Sequence, residues 1–173
     1  MTNPSSPEEL LASVGELLVR LPRKVVFIGG ATTSLYLTDS AAPAVRSTTD
    51  VDVIVNVGSY AEYSGELRDA LRELGAREDM TEDAPLCRWT LKGVSVDVMA
   101  PDERVLQFTN RWYSRVLESP RLRRLPNGIE IFVTTGPLFL ATKVEAFNGR
   151  GGGDFLSSKD MEDIIIIFDG RVE

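Results

Sequence analysis

Asp50-Val51-Asp52 opens a run of valine and isoleucine that continues to Val57. In an extended strand, residues two apart point to the same face. Asp50 and Asp52 therefore project together, while Val51, Val53, Val55 and Val57 pack on the other side. Two carboxylates sharing a face repel unless a cation lies between them, and an all-oxygen donor set suits Mg²⁺ or Mn²⁺. Asp97 is again a lone acid in an apolar run, Val94-Ser95-Val96-Asp97-Val98. Three aspartates on adjacent strands can hold two divalent ions about 3.5–4 Å apart, the arrangement used for in-line phosphoryl transfer. In that scheme Asp50 and Asp52 bridge both ions, while Asp97 binds one and helps activate the incoming hydroxyl. The plainer alternative is a DxD pair at a solvated strand edge, with Asp97 exposed on a hairpin.

Upstream lies Ile28-Gly29-Gly30-Ala31-Thr32-Thr33-Ser34. A strand, two glycines and a hydroxyl-rich helix start let backbone N–H groups approach a phosphate, aided by the helix dipole. Arg46 and Thr48-Thr49, just before Asp50, add a guanidinium fork and hydroxyl donors. Composition narrows the chemistry further. The chain has 173 residues, no histidine, a single cysteine and a formal charge of −7. Without histidine there is no Ser-His-Asp or Cys-His triad and no imidazole acid or base. One cysteine makes neither an internal disulfide nor a zinc knuckle, so a reducing compartment is the expectation. The negative charge argues against an indiscriminate nucleic-acid coat protein. The start of the chain lacks a basic stretch followed by an apolar core, and no apolar run approaches the roughly 20 residues of a membrane span. These features lead us to expect a soluble, cytoplasmic protein with no membrane role.

The elements that must position these groups follow from pattern. Ser6-Pro7-Glu8-Glu9 reads as an N-cap with a capping box. Leu10, Leu11, Val14, Leu17, Leu18 and Leu21 then follow at helical spacing until Pro22. Strands are expected at 25–28 and 50–57, a short helix at 31–37 and a loop at 40–49. A helix spans 60–74, and the two strands 86–91 and 94–99 form a hairpin about Lys92-Gly93. Residues 101–115 read as helical. Asn127-Gly128 turns a second hairpin into a strand at 129–134. Helices follow at 137–147 and from Ser157 or Ser158 through 168, joined by a glycine-rich loop at 149–153. The order predicts an α+β fold, a mixed sheet with helices packed against it. We expect one domain over 1–173, with an N-terminal helix in 1–22 and a core from about 25 to 168.

Gly29-Gly30, Ser34 and Arg46-x-Thr48-x-Asp50-Val51-Asp52 together resemble the signature of the DNA polymerase β-type nucleotidyltransferase superfamily. Within it the chain is most similar to the minimal branch that holds the abortive-infection toxins of type IV toxin–antitoxin systems. That branch carries K-x-x-A…R and then K-D-x-x-D. The matching residues are Lys143-Val144-Glu145-Ala146, Arg150 and Lys159-Asp160-Met161-Glu162-Asp163. The resemblance runs over nearly the whole chain and implies transfer of a nucleoside monophosphate from an NTP such as ATP to an acceptor, with pyrophosphate release. It implies that Gly29, Gly30 and Ser34 hold the triphosphate together with Arg46 and Thr48, and that Asp50 and Asp52 hold the metal. Lys143 would neutralise phosphate charge, and Asp160 and Asp163 would orient that lysine or the nucleotide. The plain readings of Lys143 and Asp160 are a surface lysine and an acid at a helix N-terminus.

Five arginines, Arg111, Arg115, Arg121, Arg123 and Arg124, fall within fourteen residues that hold one acid, Glu118, and the aromatics Trp112 and Tyr113. Arginines interleaved with aromatics grip a phosphate backbone and stack a base. The alternative is a solvated helix with Trp112 in the core. Read as functional, the segment faces an RNA acceptor such as a tRNA end, or an acidic cognate antitoxin. Two other functional classes share the scaffold: a non-catalytic regulatory or antitoxin-binding module, and a small-molecule transferase that modifies antibiotics. Cys87 and Trp89 alternate on a strand as core residues. The glycine run lacks the G-K-[ST] ending of a P-loop.

Overall fold

The computed structural model describes residues 6–150 and 154–172. Helix α1 (Pro7–Leu18) starts as expected, the Ser6 hydroxyl accepting from the Glu9 N–H, and buries Leu10, Leu11, Val14 and Leu18. The chain then enters β1 (Val25–Ile28), buried along its length, and turns into a 3₁₀ segment, Gly30–Tyr36. After an irregular stretch comes β2 (Asp50–Val55). The helix expected at 60–74 forms as α2 (Tyr60–Glu62), a π turn (Tyr63–Leu67) and α3 (Arg68–Glu73). A two-residue strand, β3 (Arg77–Glu78), precedes the hairpin of β4 (Arg88–Leu91) and β5 (Val94–Met99). Lys92 and Gly93 both have positive φ, 52° and 80°, as a two-residue hairpin turn with the sheet's twist requires.

One expectation is corrected here. Residues 101–115 are not one helix but two short ones, α4 (Glu103–Leu106) and α5 (Tyr113–Glu118). Gln107 takes a left-handed conformation, φ 64°, and ends α4. Asn110 then ties down the interruption: its Oδ1 accepts from the Trp112 N–H, and its Nδ2 donates to the Thr142 carbonyl. Such side-chain to backbone bonds compete with helix. The chain continues through β6 (Arg121–Arg124), β7 (Glu130–Val133), α6 (Gly136–Arg150) and α7 (Lys159–Gly170). Ser158 caps α7, accepting from the Met161 N–H. Of the glycine run, Gly149 and Arg150 close α6, while 151–153 and the Arg150 side chain lie outside the described residues.

The result is an α+β fold with one seven-stranded mixed sheet, ordered β3-β4-β5-β2-β1-β7-β6. The pairs β2–β5 and β1–β7 are parallel; the other neighbours are antiparallel. On β2 the alternation is as read from sequence. Val51, Val53 and Val55 are fully buried on one face, whereas Asp50 and Asp52 are half-buried on the other. Ile54, on the aspartate face, is buried too, so beyond the acids both faces of the strand are covered. Among the described residues no helix is long and apolar enough to cross a membrane.

Candidate active site

Strand pairing brings the three aspartates together. Because β2 and β5 are parallel, Asp52 stands opposite Asp97, and Ile28 at the end of β1 stands opposite Asp52 on its other side. One carboxylate oxygen from each of Asp50, Asp52 and Asp97 lies within 4.8 Å of the others. Three oxygens at that spacing, on adjacent rigid strands, could together hold a metal ion. Asp50 accepts the Thr48 hydroxyl at 2.7 Å. Asp97 takes a bidentate fork from Arg88, Nε and Nη2 each 2.8 Å from a carboxylate oxygen. That contact raises the Arg88 pKa further above its usual value.

The glycines earn their place by proximity. Gly29 has φ +74°, and a Cβ built on it would lie 1.9 Å from Asp52 Oδ2. A Cβ on Gly30 would lie 2.6 Å from Arg46 Nη2. The turn after β1 therefore lets a carboxylate and a guanidinium lie directly against backbone, which any side chain there would prevent.

Behind them runs a buried ionic chain. Arg46 forks onto Asp163, Nε and Nη2 at 3.2 Å. Lys143 Nζ reaches Asp163 at 2.6 Å and Asp160 at 3.1 Å. Asp163 is fully buried, and Lys143 and Asp160 nearly so. Asp160 and Asp163 share a face of α7 by their three-residue spacing, and α6 supplies Lys143 opposite them. Two cations balance two carboxylates, as burial demands.

Two hollows flank the carboxylates and share Asp52, Arg88, Asp97, Lys143 and Asp160. One, of about 470 Å³, is polar, with Gly30, Arg46, Thr48, Asp50, Ser157, Ser158 and Lys159 on its wall. The other, of about 350 Å³, adds Met99, Phe108, Asn110, Tyr113 and Cys87. Burial pushes the Cys87 thiol up to about 12, helped by the neighbouring Asp97 charge.

The whole arrangement has counterparts among solved structures. An antigenic nucleotidyltransferase-like protein from Paracoccidioides brasiliensis superposes with a TM-score of 0.59 at 17% identity, over 95% of this chain and 76% of that one. The antibiotic-resistance factor ANT(2'')-Ia superposes with a TM-score of 0.54 at 14% identity, over 92% of this chain and 81% of that one. The fold is nucleotidyltransferase-like. No family model and no curated protein sequence matches the chain.

Within this nucleotidyltransferase-like frame, Gly29, Gly30, Arg46, Thr48, Asp50, Asp52, Asp97, Lys143 and Asp160 meet at one site. Ser34 does not line either hollow; its hydroxyl is buried without a hydrogen-bond partner among the described residues. The five arginines are dispersed. Arg111 pairs with Glu145 and lies 5.9 Å from the Trp112 ring centroid; Arg115 pairs with Glu118 and Arg124 with Glu130. Arg121 and Arg123 sit on the edge strand β6. Arg88 escaped the sequence reading, yet the hairpin turn at Lys92-Gly93 fixes its partner. Counting outward, Leu91 meets Val94 and Arg88 meets Asp97. The apolar wall of Met99, Phe108 and Tyr113 left no comparable signal.

Proposed function

We propose that the chain is a metal-dependent nucleotidyltransferase that moves a nucleoside monophosphate from an NTP to an acceptor hydroxyl. The observation that carries this is the meeting of Asp50, Asp52 and Asp97 oxygens within 4.8 Å beside the Gly29-Gly30 turn. The donor set is all oxygen, which fits Mg²⁺ or Mn²⁺. A divalent ion bound there supplies Lewis-acid stabilisation of charge on the phosphoryl oxygens. The polar hollow takes the triphosphate: Arg46, Lys143 and Lys159 offset its charge, while Ser157, Ser158 and Thr48 supply hydroxyls. The acceptor hydroxyl comes from the other hollow. Its oxygen bonds to the α-phosphorus as the bond to the β-phosphate bridging oxygen breaks, releasing pyrophosphate and one proton. Arg88 orients the Asp97 carboxylate toward that reacting centre. Asp160 and Asp163 fix Lys143 at the junction of the two hollows.

The acceptor in this reading is an RNA end, such as that of a tRNA. Asn110 and Tyr113 line the second hollow, and in this reading Arg111 and Trp112, which lie between them in sequence, grip a phosphate and stack a base of that acceptor, with Arg115 beside them. The toxin-like resemblance adds a cytoplasmic setting and a cognate antitoxin that silences the enzyme. A second reading, antibiotic modification, is favoured by the structural likeness to ANT(2'')-Ia.

The test is label transfer from each α-³²P NTP with Mg²⁺, offered total RNA and, separately, aminoglycosides. Label on RNA is the expected result, and label on aminoglycoside selects the second reading. Absence of transfer with every NTP, metal and acceptor overturns catalysis. Asp52→Asn abolishes transfer while leaving the fold intact.

A further inference from the structure

Three guanidinium-bearing residues line a further cavity at the far end of α7. Arg121 and Arg123, two apart on β6 and so on one face of it, line a hollow of about 380 Å³ with Arg171, Tyr36, Thr134, Thr135, Gly136 and Pro137. None of its lining residues is acidic. This sets the pair apart from the other arginines of the segment. Arg111, Arg115 and Arg124 each have a glutamate, whereas Arg121 and Arg123 make no ion pair among the described residues. In a chain of net charge −7, cations left without acids are conspicuous.

The cavity wall is built and fixed. Arg171 Nη1 donates to the Tyr36 carbonyl at 3.3 Å and comes within 4.0 Å of the point a Cβ on Gly136 would occupy. The Tyr36 hydroxyl, buried, donates to the Thr134 carbonyl at 2.9 Å. Thr134 is itself fully buried, and its Oγ1 has no hydrogen-bond partner among the described residues. Gly136 begins the fifteen-residue helix α6; Pro137 has no N–H and the Phe139 N–H is taken by the Thr135 carbonyl, so Thr135, Gly136 and Leu138 supply the helix-start N–H groups without intrahelical acceptors, at the positive end of its dipole.

We infer that this cavity is a binding site for a phosphate-type oxyanion. Guanidinium forks and free helix-start N–H groups are the donor set such an anion uses. The site is separate from the carboxylate centre. Ser158 and Lys159 at the start of α7 line the polar hollow, whereas Arg171 follows the other end of that twelve-residue helix, about 18 Å away along its axis. The anion is either a free phosphate or pyrophosphate, or a phosphodiester of a nucleic-acid strand; all present the same oxygens.

The experiment is an amide and arginine Nε–H NMR titration of the full chain, with EDTA and without nucleotide, so that its outcome does not depend on transfer. Inorganic phosphate, pyrophosphate and a short oligouridylate are added in separate arms. Saturable shifts at Thr135, Gly136 and the Nε–H of Arg123 and Arg171 are expected. Arg123→Gln and Arg171→Gln should each weaken them by about tenfold or more, while the remaining spectrum reports an intact fold. Tighter binding of the oligomer than of phosphate assigns a nucleic-acid strand, and tighter or equal binding of the small anions assigns free phosphate. No saturable shift in any arm, or shifts unchanged in both variants, overturns the proposal.

Discussion

Acids meet at two neighbouring places in this molecule, and they are held in opposite ways. On β2 and β5, Asp50, Asp52 and Asp97 converge from rigid strands, and the fork of Arg88 is turned on one of them. On α7, Asp160 and Asp163 face Lys143 and Arg46, two cations for two carboxylates. The second group is internally neutral, with Asp163 fully buried, although its Lys143 and Asp160 also line both hollows. The first gathers three like charges that a bound cation would relieve. Residue type alone does not separate a neutralised set of acids from a candidate metal centre; the balance of charge within each group does.

The sharpest way to break this contrast is to remove one acid from each region. Asp163→Ala strands Arg46 and leaves Lys143 with Asp160 alone, and loss of one partner from a buried pair costs about 3–5 kcal/mol. A lowered denaturation midpoint at unchanged slope reports it. Asp52→Asn should leave stability within about 1 kcal/mol of wild type, or raise it, because it relieves repulsion between carboxylates. Comparable destabilisation by both substitutions would erase the distinction.

Gly29→Ala comes next. Gly29 has φ 74° and ψ −172°, a backbone that is nearly glycine-only and costs another residue about 1–3 kcal/mol, and the added Cβ meets Asp52 Oδ2. We expect a modest stability loss together with a disproportionate loss of transfer. Arg88→Gln sharpens the account of Asp97: the fold persists, since the side chain is partly exposed, while transfer falls through a misplaced carboxylate. The smallest effect concerns Cys87. Its thiol pKa, about 12 when folded against 9.0 for a free thiol, means the folded protein keeps a proton that the unfolded chain loses. The associated stability is complete below pH 9 and declines as pH rises from 9 toward 12. Alkylation at pH 8 is accordingly slow in the native protein and fast after denaturation, as mass spectrometry would read.

Much of this was legible before any coordinates. The period-two alternation around Asp50 and Asp52, the serine caps of α1 and α7 and the Lys92-Gly93 turn are local signals, and each element formed where its signal lay. Asp97 was legible as an acid in an apolar strand, but its meeting with Asp52 depends on a parallel β2–β5 pairing that no local pattern encodes. The interruption at 107–112 was missed because Asn110 bonds across to Thr142, thirty-two residues away. The arginine segment 111–124 looked like one patch in sequence. Its passage from α5 into the edge strand β6 divides it: Arg111, Arg115 and Arg124 pair with glutamates, whereas Arg121 and Arg123 line the far cavity.

The claim that the strand-end acids, unlike those of α7, form a cation site is tested most directly by Mn²⁺. Titration of the nucleotide-free protein, followed by electron paramagnetic resonance of free Mn²⁺, should show saturable binding that Asp52→Asn removes. Mg²⁺ should displace the bound Mn²⁺. Wild-type protein that leaves Mn²⁺ free at millimolar concentration, or an Asp52→Asn variant that binds it equally well, would contradict the account.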